Sequence, residues 1–188
     1  ANQINFKPKS INHDKASAVP LAGLTAWQGL FDYGHLEEGQ KVLIHAAAGG
    51  VGSFAVQLAK WKGAYVIGTS SEENIDFLFD LGADEALDYK TVKFEDRLKD
   101  VDLVFDLIGG DTQQRSLKII KKGGRLITTV QPKYQEEAKA NDIHMEVFMT
   151  QSLPEELEQL GNLIDSGKMK PVVTRTFPLK DAAEAQKE

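Results

Sequence analysis

The sequence contains no cysteine. That excludes a disulfide framework, a thiolate zinc site, an iron–sulfur cluster and a cysteine nucleophile. Positive charge is also in short supply: 22 Lys and Arg stand against 28 Asp and Glu, for a formal net charge of −6. Nucleic acid and anionic membrane are therefore not expected as partners held by bulk electrostatics. No internal repeat and no low-complexity segment is present. The opening residues, Ala1-Asn2-Gln3-Ile4-Asn5-Phe6-Lys7, are polar and lack the apolar core of an export signal. A cytoplasmic location is the expectation. The chain does not begin with methionine, and we expect it to be processed or cut from something longer. Residues 42–59 carry no Asp, Glu, Lys or Arg and approach the lower length limit for a membrane span. They also contain His45, Ser53, Gln57 and a central Gly49-Gly50-Val51-Gly52. A buried strand, a glycine turn and a packed helix describe them better.

What remains is ordinary for a folded domain: 188 residues, 41% hydrophobic and 27% charged. A chain of this length buries roughly 70% of the surface it exposes when unfolded. Short apolar runs at 41–47, 64–68, 85–87, 101–107, 125–130 and 144–149 read as strands. Segments with helical spacing at 53–61, 73–81, 112–120 and 154–166 lie among them, and another precedes them at 21–33. Gly82, Lys121-Lys122-Gly123-Gly124 and Gly167 read as helix stops. Residues 172–177 read as a further strand, followed by a short acidic-alanine helix. Such alternation predicts an α/β protein: a Rossmann-type doubly wound, mainly parallel sheet with helices on both faces.

The chemical signal is Ala47-Ala48-Gly49-Gly50-Val51-Gly52, set between a strand and a helix. Glycine there lets the backbone turn tightly and approach a pyrophosphate, while the helix start offers unpaired N–H groups and partial positive charge. The first glycine of the usual dinucleotide pattern is replaced by Ala47. A glycine turn in some other α/β protein is the structural alternative. At the end of the next strand, an acidic residue would accept from the ribose 2′-hydroxyl of NAD. The corresponding position holds Ser70, which tolerates a 2′-phosphate. Ser70 and Glu73 also have the spacing of a capping box, and Glu72 and Glu73 would oppose a phosphate if they pointed inward.

Five motifs in order carry a wider resemblance: Val19-Pro20-Leu21-Ala22-Gly23-Leu24-Thr25-Ala26-Trp27, Ala46-Ala47-Ala48-Gly49-Gly50-Val51-Gly52, Leu81-Gly82-Ala83-Asp84, Asp106-Leu107-Ile108-Gly109-Gly110 and Lys122-Gly123-Gly124-Arg125. Over nearly its whole length the chain resembles the cofactor-binding half of a medium-chain dehydrogenase/reductase, in the zinc-independent quinone oxidoreductase and enone reductase branch. The resemblance implies a pyrophosphate on the loop Ala48, Gly49, Gly50, Val51 and Gly52. It implies a 2′-phosphate surrounded by Thr69 and Ser70, with Tyr89 in contact. The lysine often found at the position of Asn74 is absent, which at about 1.5–3 kcal/mol for a charged hydrogen bond weakens NADPH by roughly ten- to a hundredfold. Ile108, Gly109, Thr129, Val130, Phe148 and Met149 match segments lining the nicotinamide end, and Thr25 matches a threonine near the cofactor. Leu21 lies where zinc-dependent relatives carry a metal-ligand cysteine, so no metal is expected.

The same resemblance divides the chain. Residues 1–17 would be the tail of an otherwise missing substrate (GroES-like) domain, 18–178 the dinucleotide-binding domain, and 179–188 the start of a truncated return segment. The expected cofactor is NADPH, and the expected partner a small quinone or α,β-unsaturated carbonyl reduced by hydride transfer. A homodimer is left open. Two alternatives stand beside this one: a non-catalytic nucleotide-sensing module, and an NAD-dependent alcohol dehydrogenase-like enzyme. No catalytic residue is named. His13, His35, His45 and His144 show no ligand spacing, and His45 reads as a hydrogen-bonded core residue. Asp106 ends a strand where open sheets build sites, though a solvated or backbone-capping aspartate is the commoner case. Ser70 and Ser116 have no adjacent histidine–acid arrangement, and Trp27 and Trp61 read as core.

Overall fold

The computed structural model describes residues 3–187. Six strands form one sheet: β1 (Lys41–Ile44), β2 (Tyr65–Ser70), β3 (Glu85–Asp88), β4 (Val101–Asp106), β5 (Ile120–Thr128) and β6 (His144–Val147). Their spatial order is β3-β2-β1-β4-β5-β6, and every neighbouring pair is parallel. The order reverses beside β1, and at such a switch point an open sheet leaves a crevice at the carboxyl ends of its strands.

Side chains alternate between the two faces because the strand period is two. Val42, Ile44, Val66, Leu103, Phe105 and Ile127 point into one buried cluster. Their neighbours Leu43, Ile67, Val104 and Leu126 point into the other. Both faces are therefore covered, as a parallel sheet requires. Helices α2 (Pro20–Trp27), α3 (Gly50–Trp61), α4 (Ile75–Asp80) and α7 (Pro154–Asp165) supply residues to the first cluster. Helices α5 (Asp111–Leu117) and α6 (Gln135–Ala140) serve the second. Two short helices, α1 (His13–Ser17) and α8 (Ala182–Ala185), lie near the ends. Among the described residues no helix is long and apolar enough to cross a membrane, and residues 42–59 form the strand, turn and packed helix expected of them.

Several expectations are corrected. The helix expected over 21–33 turns into a π-helix at Gln28–Asp32, and Leu21 near its start is 74% exposed. The strand at 41–47 stops at Ile44, where the chain turns and Ala46 takes a positive φ of 50°. Helix α3 begins at Gly50 rather than 53. Lys121-Lys122-Gly123-Gly124 does not end a helix: α5 stops at Leu117 and these residues lie within β5. The Lys121 ammonium instead pairs with Asp102. Gly124 hugs β4 so closely that a Cβ would meet the Asp102 carbonyl at 3.0 Å, beside the register shift between Val101 and Leu103. Residues 172–177 form no strand among the described residues, because no β-partner lies beside them. The expected capping box fails as well. Ser70 is still the last residue of β2, and Ser71 takes the cap position, bonded to the Glu73 carboxylate at 2.9 Å and the Asn74 amide at 3.0 Å. Trp61 is 42% exposed and packs beside Trp27, at the core's margin.

Candidate functional site

The glycine loop joins the end of β1 to α3. A Cβ on Gly52 would lie 2.3 Å from the Ala46 carbonyl oxygen and 2.6 Å from the Ala47 Cα, so only glycine lets helix and strand approach this closely. Gly50 faces open space. The first-turn amides of Gly50, Val51 and Gly52 have no carbonyl one turn behind them, as at any helix start, and α3 adds its dipole. A groove of about 450 Å³ runs past this turn, lined by Ala48, Gly49, Gly50, Ser53, Asn74, Phe77, Val172 and Thr174.

A second cavity of about 410 Å³ opens between the ends of β1, β2 and β4. Its lining includes His45, Thr69, Ser70, Tyr89, Phe94, Ile108 and Arg115. Of the residues expected to surround a 2′-phosphate, Thr69, Ser70 and Tyr89 share this cavity, whereas Asn74 lies in the neighbouring groove. His45, Phe94, Thr112 and Arg115 were missed by sequence reasoning. Phe94 and Arg115 come from the segment between β3 and β4 and from α5, and only folding brings them beside Ser70. Arg115 is pinned: its Nε and Nη2 donate to the two Glu95 oxygens at 2.8 and 2.7 Å, and its plane lies 4.5 Å over the Phe94 ring. Glu95 raises its pKa further, so the cavity wall carries a guanidinium whose charge is matched by a carboxylate.

His45 is buried, as expected, and fully hydrogen-bonded. Its Nε2 lies 2.9 Å from the Ser116 hydroxyl and its Nδ1 3.2 Å from the Thr69 hydroxyl. Burial lowers its pKa to about 4, against the upward pull of the Asp106 carboxylate. The fold thus gives Ser116 a histidine neighbour that the sequence spacing had not suggested. No nucleophile results, because the Ser116 proton goes to the Thr112 carbonyl at 2.7 Å and the far side of the imidazole meets a threonine rather than an acid.

Asp106 closes the carboxyl end of β4. It is neither solvated nor exposed: its side chain accepts from the amides of Ile108 and Gly109, both at 3.0 Å, from Gln113 Nε2 at 2.9 Å and from the Thr128 hydroxyl at 2.9 Å. This fixes the turn bearing Ile108 and Gly109. Gly109 has φ +80°, and a Cβ there would strike Val130 at 2.7 Å. Thr129 hydrogen-bonds back to the Asp106 carbonyl at 3.3 Å. Gly109, Thr129 and Val130 therefore lie close together, and Ile108 also lines the cavity that holds Ser70 and Tyr89. Phe148 lies just after β6. Its side chain is buried against Tyr33, with ring centroids 4.7 Å apart, and it faces the core. Met149 beside it is 83% exposed. Thr25 bonds the Leu21 carbonyl and Thr150, both at 2.7 Å, which ties α2 to the segment after β6.

With this geometry in view, the relatives become informative. The model of the zinc-binding dehydrogenase family matches residues 81–188. The chain belongs to that family, within the medium-chain dehydrogenase/reductases. It is 31% identical to the mitochondrial NAD(P)H oxidoreductase RTN4IP1 of Mus musculus over 98% of its own length and 54% of that protein. It is 34% identical to the 2-methylene-furan-3-one reductase of Solanum lycopersicum over 93% and 43%. The quinone oxidoreductase of Coxiella burnetii superposes with a TM-score of 0.92 at 36% identity, covering 97% of this chain and 59% of that one. The chain thus spans about half the length of the curated relatives it matches. The family's description mentions zinc, yet among the described residues no group of three His, Asp or Glu side chains is placed to hold a metal ion. The mouse relative is a mitochondrial protein, whereas a cytoplasmic location was the expectation for this chain.

Proposed function

We propose that this chain is the NADPH-binding part of an oxidoreductase that reduces quinones or α,β-unsaturated carbonyls by hydride transfer without zinc. One observation carries the reading: the Gly52 contact and the open space at Gly50 form a cradle that a side chain would fill, at the start of a twelve-residue helix and beside a cavity at the switch point. The amides of residues 50–52 would hold the pyrophosphate. Ser70, Tyr89 and Arg115 would face the adenosine end, with the Arg115 guanidinium paired to Glu95. Gly109, Thr129 and Val130 would shape the nicotinamide end, with Thr25 and Met149 nearby. A bound nicotinamide supplies the hydride. The chain's task is to hold that ring in register and keep water away. The Leu21 side chain, at the position of a metal-ligand cysteine in the resemblance, supports chemistry without zinc.

Titration with NADPH and NADH tests the reading. Tighter NADPH binding is expected, and equal or better NADH binding would overturn the 2′-phosphate assignment. Gly52→Val should abolish binding of either nucleotide in a protein whose circular dichroism is otherwise unchanged. In the full-length enzyme, turnover that chelation removes and zinc restores would refute the zinc-free mechanism.

A further inference from the structure

The His45 network decides which way a proton points in the adenosine cavity. The Ser116 hydroxyl has one proton and donates it to the Thr112 carbonyl at 2.7 Å. At the same oxygen it can then only accept, so the His45 Nε2 at 2.9 Å carries hydrogen. The imidazole, buried among apolar strands and Phe94, is held neutral with a pKa of about 4. A neutral ring has one N–H, so its Nδ1 is an acceptor. The Thr69 hydroxyl, 3.2 Å away, must donate to it. Thr69 is buried and lines the cavity. With its proton committed, it offers the cavity lone pairs only.

A phosphate dianion offers only acceptors. The ribose hydroxyls and the adenine amino group offer donors. We propose that His45 is a positioning residue that makes Thr69 an acceptor for a donor group of the bound adenosine, so that Thr69 takes no part in holding a 2′-phosphate. This rests on the nucleotide reading above and corrects one part of it. Thr69 and Ser70 were expected to act together on the phosphate, but the proton count separates them.

The test compares ADP-ribose with 2′-phospho-ADP-ribose by calorimetry on the intact chain. Thr69→Val should weaken both by about the same factor, roughly three- to tenfold for one neutral hydrogen bond. Thr69→Ser should restore both. A loss confined to the phosphorylated nucleotide, or no loss for either, would overturn the proposal. His45→Phe keeps a flat ring beside Phe94 and frees the Thr69 proton. It should raise the affinity ratio of 2′-phospho-ADP-ribose over ADP-ribose about threefold or more, whereas an unchanged ratio would reduce His45 to a packing residue. Ring nitrogen NMR of the wild type decides the matter even where a variant fails to fold. A protonated Nε2 and bare Nδ1 near neutral pH are required, and a proton on Nδ1 refutes the assignment. If the wild type prefers ADP-ribose while Thr69→Val still weakens both nucleotides equally, the NADPH reading falls and the role of Thr69 stands. If the wild type binds neither, both fall.

Discussion

Helix α5 carries two buried polar groups one turn apart, and each anchors a different network. Gln113 reaches Asp106 and Thr128, while Ser116 reaches His45 and through it Thr69. The Asp106 network is built on a carboxylate with four donors, two of them backbone amides of the following turn. The His45 network is neutral and meets the backbone at a single carbonyl, that of Thr112, which accepts from Ser116. A charge without a cation survives burial because fixed N–H and O–H dipoles replace water, and the backbone is locked in return. A neutral ring needs less support and leaves the backbone free, so it can set the direction of a proton instead. The first network shapes the nicotinamide edge of the proposed site and the second tunes its adenosine end.

Breaking the charged network should cost most. Asp106→Leu strands two amides, the Gln113 amide and the Thr128 hydroxyl, and we expect a loss of about 3–5 kcal/mol in chemical unfolding. His45→Leu leaves Ser116 bonded to the Thr112 carbonyl and the Thr69 hydroxyl facing the cavity without its imidazole, and a loss of about 1–2 kcal/mol is expected. The His45 variant should also change the acid profile. The folded pKa lies below the unfolded value, so the folded state binds fewer protons between pH 6.5 and about 4 and loses stability as pH falls through that window. The stability of His45→Leu relative to the wild type, read from denaturant midpoints, should therefore rise as pH falls through that window. Ser116→Ala, which removes one acceptor and keeps the ring in place, should cost about 1 kcal/mol.

The smallest effect tests a site away from α5. Glu156 opens α7, bonds Gln28 at 2.6 Å, and has its pKa raised to about 7 by burial, with the hydrogen bond from Gln28 opposing and the Asp32 carboxyl reinforcing the rise. The folded state therefore binds more protons between pH 4.5 and about 7, and stability contributed by protonation is lost as pH rises through that window. Glu156→Gln should remove this slope and leave the opposing His45 slope exposed. A variant that keeps the wild-type profile would show that Glu156 does not titrate there.

Much of this fold was legible because both faces of the sheet are apolar and the strand–helix alternation repeats. The pairing of Val42 and Ile44 with one core and Leu43 with the other follows directly from a period of two. The glycine loop was legible too, since its backbone demands are local. Asn74 and Arg115 were not. Asn74 follows Ser70 by four residues yet faces the neighbouring groove, and Arg115 lies 45 positions beyond Ser70 yet shares its cavity. That the Phe148 side chain turns into the core was not legible either, because the sequence just after a strand shows no sign of which way a side chain will point.

The sequence by itself determined the parallel α/β class, the cradle at Gly52, the family and the absence of thiolate chemistry, because these depend on residue type and local spacing. Tertiary structure alone decided that Ser116 meets His45, that Asp106 is buried with four donors, and that Arg115 rather than Asn74 stands beside Ser70. Those contacts join residues far apart in the chain, and their chemistry depends on burial and on where each proton lies, neither of which local spacing encodes.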